Sequence, residues 1–235
     1  MIYWLEMTNP VAAQPELDAK QRLIEAGLEI FGTFNLEGAT TRQLAQRARV
    51  NQAAIPYYFG GKEGLYLAVI EHLLTHKTSR LRPLVLQIRE ILEQKSLSSE
   101  QALEGIKTIS GAFLQVLLED KATTTWARII MREQMQPTKA FDLIYERWIR
   151  PVHETLSALL AVILRKKATD PSLILRTHTL VGQILIFLSG RETILRRLKW
   201  EAYNEGEREQ IQKAVFDQLD LILQPLIERS ARSRP

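Results

Sequence analysis

Residues 41–62, TRQLAQRARVNQAAIPYYFGGK, contain four basic side chains and no acidic one, in a chain that has 27 acidic residues. A carboxylate that faces a phosphate loses Coulomb energy and gains nothing from counterion release, so a phosphate-binding surface tends to exclude acids. Arg42 and Lys62 can bind phosphate oxygens, and the amide of Gln52 can pair with the edge of an adenine. The stretch therefore indicates a nucleic-acid surface. The alternative is a solvated face that lacks acids by chance.

Two short helices are expected to position these groups. Thr40 and Gln43 have the T-x-x-Q spacing of a capping box, which predicts a helix over residues 41–48. Asn51 can cap a second short helix over residues 52–58, which the following glycines end. The buried side of the first helix is predicted to consist of Leu44, Ala45 and Ala48.

Longer helices are predicted on either side of this short pair. From Glu16 onwards, apolar residues recur at spacings of seven, four and three, which places them on one helix face. Lys62 begins a fourth helix after the two glycines. Two short helices that are joined by a tight turn and braced by a longer helix form a helix-turn-helix. Its second helix enters the DNA major groove, and its first helix lies across the backbone.

The overall composition is that of an ordinary globular protein, with 46% hydrophobic and 25% charged residues in a chain of 235. The net charge of +4 is too small to identify a nucleic-acid partner by itself, so the local charge distribution matters more. The chain has no cysteine, which excludes disulfides and cysteine-ligated zinc. No apolar run reaches about 18 residues and no signal peptide is evident, so a cytoplasmic protein without contact to the membrane is expected.

The fold is predicted to be all-α, because neither a sustained period-two alternation nor a hairpin sequence is present. A three-helix helix-turn-helix head is expected to precede a helical body that binds a ligand and dimerises. The predicted boundaries are a flexible arm at 1–15, a DNA-binding head at 16–62, an effector-binding and dimerisation body at 63–230, and a basic tail at 231–235.

Enzyme motifs are missing from the sequence. We find no nucleophile elbow, dinucleotide-binding glycine loop, Walker loop or H-E-x-x-H helix. His72 and His76 have the spacing of a metal-binding pair, but no carboxylate or cysteine partner is evident nearby. We therefore predict a protein that is not an enzyme and that holds no metal or cofactor.

The segment TTRQLAQRARVNQAAIPYYFGGKEGLYLAVI resembles the DNA-binding head of the TetR family of bacterial transcriptional regulators. The resemblance covers about residues 18–70 and follows the pattern T-x-x-x-I/L-A-x-x-A-G-V-S/N-x-x-x-L/I-Y-x-Y/H-F-x-x-K-E-x-L. It implies that Phe59 is the buried aromatic residue that closes the head. The DNA contacts that it implies are Thr41, Arg42, Gln52, Ala53, Ala54, Tyr57, Tyr58 and Lys62.

Two residues depart from the family pattern. Arg49 stands where the family usually has a turn glycine, so a positive φ there would cost about 1 kcal/mol or more. Either the turn differs from that of the family or Arg49 adds a phosphate contact. Pro56 stands where the family usually has tyrosine, which removes a backbone donor and is expected to kink the second short helix.

The body resembles the C-terminal domain of the CecR-like subgroup of the TetR family. The segments that carry this resemblance are REQMQPTKAFDLIYERWIRPVHETLSALL and RTHTLVGQILIFLSGRETILRRLKW. Members of the subgroup are described as repressors that are linked to antibiotic export and sensitivity. The resemblance extends the family assignment to nearly the whole chain.

Two apolar segments of the body are candidates for a homodimer interface. Residues 172–190 are apolar almost all round, which is more than burial within one chain requires. Residues 208–228 repeat apolar positions at spacings of four and three. Two such helices from each subunit can form a four-helix bundle across a two-fold axis, and the alternative is that both pack inside one subunit.

A mostly apolar pocket between body helices is predicted to bind a small apolar effector. For each candidate residue an ordinary core position is the alternative, and for His178 that position is a hydrogen-bonded core histidine. The candidate lining residues are Phe113, Leu117, Trp126, Ile130, Met131, Met135, Phe141, Tyr145, Trp148 and His178.

Together these features predict a DNA-binding transcriptional regulator. We expect a ligand-responsive repressor that binds a palindromic double-stranded DNA operator as a homodimer and is released by the effector. The alternative is a helical carrier or sensor of hydrophobic small molecules without sequence-specific DNA binding. Salt distinguishes the two, because a DNA binder loses affinity steeply as ionic strength rises and an apolar carrier does not.

Overall fold

The computed structural model describes residues 15–77, 81–94, 97–118 and 121–232. All regular secondary structure in these ranges is helical, which confirms the predicted all-α fold. The chain divides into two compact units, which we call the head, Met1–His72, and the body, Leu73–Pro235. Nearly all of the predicted arm and the last three residues of the predicted tail lie outside the described residues.

Four helices form the described part of the head, and the fourth continues past the unit boundary. Their bounds are α1 Pro15–Thr33, α2 Thr41–Ala48, α3 Ala54–Phe59 and α4 Lys62–Lys77.

The core of the head is built from one face of each of these helices. Leu23 and Phe31 of α1 are fully buried, as are Ile55 of α3 and Leu65 of α4. The rings of Phe31 and Tyr66 meet edge to face with centroids 4.9 Å apart. Each such side chain stabilises the fold by roughly 1.5–3 kcal/mol through apolar burial, so the core holds the short helices against the long ones.

The predicted capping box fixes the start of α2. The backbone N–H of Gln43 donates to the Thr40 hydroxyl at 3.2 Å, and the backbone N–H of Thr40 donates to Gln43 Oε1 at 2.9 Å. The helix buries Leu44, Ala45 and Ala48. The predicted bounds and the predicted buried face of this helix are both confirmed.

The body is a larger helical unit. Its elements are α5 Leu81–Glu93, α6 Ser99–Leu118, α7 Lys121–Met135, α8 Lys139–Ile144, a π-helical turn Tyr145–Ile149, α9 Arg150–Leu164, α10 Pro171–Ser189, α11 Arg191–Leu198 and α12 Glu205–Arg232.

Helix α6 lies at the centre of the body and packs against α5, α9, α10 and α12. Most of its residues from Ala102 to Leu118 are buried. Between α9 and α10, the buried hydroxyls of Ser157 and Thr177 satisfy each other at 2.7 Å. Helix α12 extends to Arg232, so it includes the first two residues of the predicted basic tail.

A π-helical turn, Tyr145–Ile149, interrupts the run from α8 to α9 just before Pro151. A proline within an α-helix clashes with the carbonyl four residues earlier and provides no N–H. Here the N–H of Arg150 donates to the carbonyl of Tyr145, five residues back, which widens the helix at this point. The wider turn accommodates Pro151, and π turns of this kind are frequent at functional sites.

Candidate functional site

Helix α3, the predicted groove-binding element, begins at Ala54 and not at Gln52 as predicted. The side chain of Asn51 accepts from the N–H of Ala53 at 2.9 Å, so Asn51 caps the turn that precedes the helix. The N–H of Ala54 donates to the Asn51 carbonyl at 3.0 Å, and the N–H of Ile55 donates to the Gln52 carbonyl at 3.2 Å. Each of these two bonds joins residues that are three apart in sequence. A turn that is tighter than an α-helix therefore precedes α3.

Pro56 does not kink α3. It is the third residue of a helix that runs to Phe59, and the first four N–H groups of a helix have no partner within it. The backbone N–H that Pro56 lacks is therefore one that would have no partner within the helix. The carbonyl of Pro56 still accepts from the N–H of Gly60 at 3.0 Å. The expected kink is wrong because the proline lies in the first turn.

Arg49 adopts the left-handed backbone of the glycine that it replaces. It ends α2 with φ 55° and ψ 47°, and the N–H of Val50 donates to the carbonyl of Ala45 at 3.0 Å. The turn thus keeps a glycine-type geometry at a cost of about 1 kcal/mol or more. The Arg49 side chain is exposed, and within the described ranges it makes no ion pair.

Predicted DNA contacts from the two short helices lie together on the surface of the head. The amide nitrogen of Gln52 donates to the hydroxyl of Thr41 at 2.7 Å, which ties the start of α2 to the turn before α3. Tyr57 is 74% exposed, and its ring meets that of Tyr58 with centroids 4.9 Å apart. Ala53 is exposed, whereas Thr41, Ala54 and Tyr58 are half-buried.

Two of the four basic side chains in the acid-free stretch make contacts within the head. Nε and Nη2 of Arg47 donate to the carboxylate of Glu29, at 2.5 and 2.6 Å, and this pairing raises the pKa of Arg47. The ammonium of Lys62 donates to the carbonyl of Ala39 at 3.0 Å. The exposed Arg42 and Arg49 have no side-chain partner among the residues that the structure describes.

Phe59 is half-buried, and the fully buried aromatic residue of the head is Phe31. The ammonium of Lys20 lies 5.9 Å from the centroid of the Phe59 ring. Phe59 also limits the residue that can stand at position 64, because a Cβ on Gly64 would lie 1.8 Å from the Phe59 carbonyl oxygen. Glycine at position 64 therefore lets α4 pass directly against the end of α3.

In the body, several predicted effector residues meet around one cavity, which we call the inner cavity. It has a volume of about 50 Å³. The predicted residues that line it are Phe113, Leu117, Trp126, Ile130, Met131 and Trp148.

The structure places the other predicted lining residues elsewhere. Met135 is 77% exposed and Tyr145 is 42% exposed, because each lies on the solvent face of its helix. Phe141 stacks on Tyr145 with ring centroids 6.2 Å apart. His178 is exposed on α10, and its Nδ1 lies 2.9 Å from the carbonyl oxygen of Ile174.

Sequence reasoning did not identify His153 as a candidate. It is half-buried and lines the inner cavity. Burial, together with the ring of His178 at 4.7 Å, lowers the pKa of His153 to about 4. The imidazole is therefore uncharged at neutral pH. The proximity of α9 and α10, which brings the two histidines together, could not be read from the sequence.

The inner cavity has an aromatic wall. The ring centroid of Trp148 lies 5.8 Å from that of Phe113 and 5.7 Å from that of Trp126, in edge-to-face contacts. Trp126 is 2% exposed, and its indole N–H has no hydrogen-bond acceptor among the residues that the structure describes. A buried donor without a partner costs about 1–3 kcal/mol, so this group favours an incoming acceptor.

A second cavity, which we call the outer cleft, also borders Trp148 and has a volume of about 470 Å³. Trp148 and Val152 line both cavities. The cleft also contains charged side chains, of which Arg89 donates to Glu154 at 2.7 Å and to the hydroxyl of Thr155 at 2.9 Å. The remaining lining residues are Leu74, Thr75, Leu81, Arg82, Pro83, Val85, Leu86, Glu146, Arg147 and Pro151.

Comparisons with known proteins decide the family. Residues 23–69 match the family described as bacterial regulatory proteins, tetR family, and residues 102–226 match the C-terminal domain of the HTH-type transcriptional dual regulator CecR. The chain is also 38% identical to the CecR protein of Shigella flexneri over 224 residues, which cover 95% of this chain and all of that protein. The chain belongs to the TetR family, in its CecR-like group.

Further relatives agree with this assignment. The regulator BetI of Serratia proteamaculans is 27% identical over 118 residues, which cover 50% of this chain and 56% of BetI. Two solved structures share the fold: a transcriptional regulator from Rhodococcus sp. Rha1 and HlyIIR, a hemolysin II transcriptional regulator. The first has a TM-score of 0.56 and 20% identity, covering 88% of this chain and 96% of that one. HlyIIR has a TM-score of 0.54 and 20% identity, covering 85% of this chain and 97% of that one.

Helix α10 of this CecR-like regulator has an uncovered apolar face. Leu173, Leu180 and Ile184 are buried in the body, whereas Leu175 is 68% exposed and Ile186 is 53% exposed. Within the described residues, α10 is long and apolar enough to cross a membrane by length and composition, with a mean hydropathy of 1.4 over 18 residues, of which 28% are buried. Length and composition are weak evidence for a membrane span, because core helices of soluble proteins share them; the predicted absence of a spanning helix rested on the lack of a long apolar run.

Proposed function

We propose that this TetR-family regulator is a cytoplasmic repressor that binds a palindromic operator as a homodimer and is released by a small effector. The observation that carries the proposal is the cluster around α3, where exposed Arg42, Arg49 and Tyr57 flank the turn at Gln52 with no acid in residues 41–62. Such a surface can bind DNA phosphates on both sides of the helix that contacts the bases.

The DNA contacts that we propose follow from this surface. Helix α3 enters the major groove, Gln52 reads a base edge and Arg42 binds a phosphate. The family pattern assigns further contacts to the remaining predicted positions: Thr41, Ala53, Ala54, Tyr57, Tyr58 and Lys62. Lys62 has a second task, because its ammonium also holds the loop before α2 through the Ala39 carbonyl.

A second copy of the chain is the partner that we propose for the exposed face of α10. Helix α10 has a mean hydropathy of 1.4 over 18 residues, and only 28% of these residues are buried in their own chain. A large apolar surface of the helix is therefore left in water. Leu221 of α12, in the second predicted interface segment, is 72% exposed. Two-fold symmetry of the protein matches a palindromic operator.

Selection of bound fragments from genomic DNA, followed by sequencing, tests this function. We expect recovered fragments to share an inverted repeat, and affinity for it to fall steeply between low and physiological salt. If the dimeric protein binds no fragment better than random DNA at low salt, the proposed function is wrong. A carrier of hydrophobic molecules without sequence-specific DNA binding then becomes the favoured function.

A further inference from the structure

We propose that the inner cavity binds an uncharged aromatic molecule that carries a hydrogen-bond acceptor, and that Trp148 swings into the outer cleft to admit it. The inference deepens the proposed function, because it names the chemical class of the effector. It can be tested without DNA, so that its outcome is independent of operator binding.

The shape of the ligand follows from the aromatic wall. Phe113 and Trp126 each pack edge to face on the ring of Trp148, at centroid separations of 5.8 and 5.7 Å, so a ligand ring that replaces the indole of Trp148 can make the same contacts. Aromatic rings pack on such partners in offset or edge-to-face contacts, which add to the gain from apolar burial. A flat ring system therefore fits better than a branched aliphatic chain.

The requirement for an acceptor follows from Trp126. Its indole N–H is buried, lies in a residue that lines the cavity, and has no acceptor within the described part of the chain. An indole nitrogen can only donate, so the complementary ligand group is a carbonyl, ether or similar acceptor. An alkyl group in the same place would leave the N–H without a partner.

The absence of charge on the ligand follows from the lining. None of the fourteen residues that line the inner cavity is an aspartate, glutamate, lysine or arginine. His153 is uncharged at neutral pH, because burial lowers its pKa to about 4. A carboxylate or ammonium group would therefore be desolvated without a counterion, which is strongly unfavourable. In contrast, the outer cleft contains Arg82, Arg89, Glu146 and Arg147.

The movement of Trp148 follows from the volumes. The inner cavity, at about 50 Å³, is smaller than the cavity of about 150 Å³ that binds benzene in an engineered protein. Trp148 also lines a cleft of about 470 Å³, which has room for the indole ring. The π-helical turn that carries Trp148 can change register towards α-helix, which rotates the side chain. The indole of Trp148 leaves a space that has the size of a bicyclic ring.

Three bicyclic probes test the proposal on the full-length protein by isothermal titration calorimetry. They are 2-acetylnaphthalene, 2-ethylnaphthalene and 2-naphthoate, which share a ring system and differ in acceptor and charge. We expect the ketone to bind roughly three- to tenfold more tightly than the alkyl compound, the contribution of one hydrogen bond. The naphthoate should bind more weakly than both.

Matched variants identify the donor and the moving side chain. Trp126→Phe keeps a ring but removes the N–H, so the ratio of ketone to alkyl affinity should fall to about one. Trp200→Phe, a change outside both cavity linings, should leave the ratio unchanged. Because the measurement is a ratio within each variant, a general loss of stability does not imitate the result.

Fluorine NMR of protein labelled with 5-fluorotryptophan follows the movement. We expect addition of the ketone to shift the resonances of Trp126 and Trp148 and to leave that of Trp200 in place. Equal affinity for ketone and alkyl probes, tightest binding of the naphthoate, or an unmoved Trp148 in the ketone complex would each overturn the proposal. Selection of an inverted repeat without any probe would still support the proposed function after such a failure.

Discussion

At the scale of single residues, basic side chains that look alike in the sequence have different tasks. Arg47 is engaged by Glu29 and Lys62 by backbone carbonyls, so both hold the head together. Arg42 and Arg49 remain exposed beside the turn that precedes α3. The bidentate pair of Arg47 could not be predicted, because its partner lies 18 residues away on another helix. The exposure of Arg42 could, because it follows directly from the predicted face of α2.

Replacing Arg42 with alanine should weaken binding to every duplex by a similar factor. The guanidinium is exposed and has a phosphate as its proposed partner, so its loss removes about one released counterion. The slope of log affinity against log salt should become shallower by about one unit, as measured by fluorescence anisotropy at several salt concentrations. Arg128→Ala removes the same charge from an exposed position in the body and should leave the slope unchanged. An unchanged slope in Arg42→Ala would contradict the proposed contact.

His153 should make the body less stable as the pH falls from about 6.5 to about 4. Its pKa is lowered from 6.5 to about 4, chiefly by burial, so the unfolded chain binds the proton more readily than the folded one in this window. The stabilising contribution of His153 is fully present above pH 6.5. The free energy of unfolding should fall by roughly 1–2 kcal/mol towards pH 4, after allowance for screening.

Urea unfolding of the wild type and two variants across this pH range checks the assignment. His153→Phe should remove this part of the pH dependence. His178→Phe should keep most of it, because burial is a larger cause than the neighbouring ring. The same acid slope in wild type and His153→Phe would contradict the role of His153.

At the scale of elements, sequence reasoning was exact where a local signal exists. The T-x-x-Q pattern located α2, because the bonds of a capping box lie within four residues of sequence. The start of α3 was placed two residues too early, because a turn of three-residue bonds offers the same polar cap as a helix. The π-helical turn was not predicted, since it changes helical periodicity over only five residues. The buried Glu133, which accepts from the N–H of Thr138 at 2.9 Å before α8, was not predicted either.

The junction between α3 and α4 should depend on Gly64. A methyl group there would lie 1.8 Å from the Phe59 carbonyl oxygen, and backbone cannot yield as a flexible side chain does. Gly64→Ala should therefore destabilise the head by roughly 1–3 kcal/mol and weaken DNA binding. Gly206→Ala is the control, because a Cβ there meets nothing within 4 Å. Thermal unfolding followed by circular dichroism compares the two variants, and equal midpoints would contradict the packing argument.

At the scale of the whole molecule, the sequence predicted a helix with more apolar surface than one chain can bury. The apolar segment 172–190 was correctly placed on one helix, and the structure buries only part of it. The inner cavity could be predicted in part, because aromatic residues cluster on α6, α7 and the π-helical turn. The small volume of this cavity and the wall that it shares with the outer cleft could not be predicted, because they depend on packing between segments that are distant in sequence.

The dimer proposal is tested by placing a charge on α10. Leu175→Glu introduces a carboxylate at a position that is 68% exposed in one chain, so the monomer should fold normally. In a dimer the charge would be buried without a partner, so light scattering should report a monomer at concentrations where the wild type is a dimer. Leu198→Glu, at a position on α11 that is 53% exposed, should remain dimeric. A dimeric Leu175→Glu protein would show that α10 is not at the interface.

The central claim is that two copies of α3 read two symmetric major grooves. Sequencing of DNA selected by the wild type and by Gln52→Ala measures this most directly, with the number of chains on each duplex determined by sedimentation. We predict two chains per duplex and loss of preference at one base pair in each half of the inverted repeat, at mirror-related positions. A change in only one half, or an unaltered consensus sequence in the variant, would contradict the account.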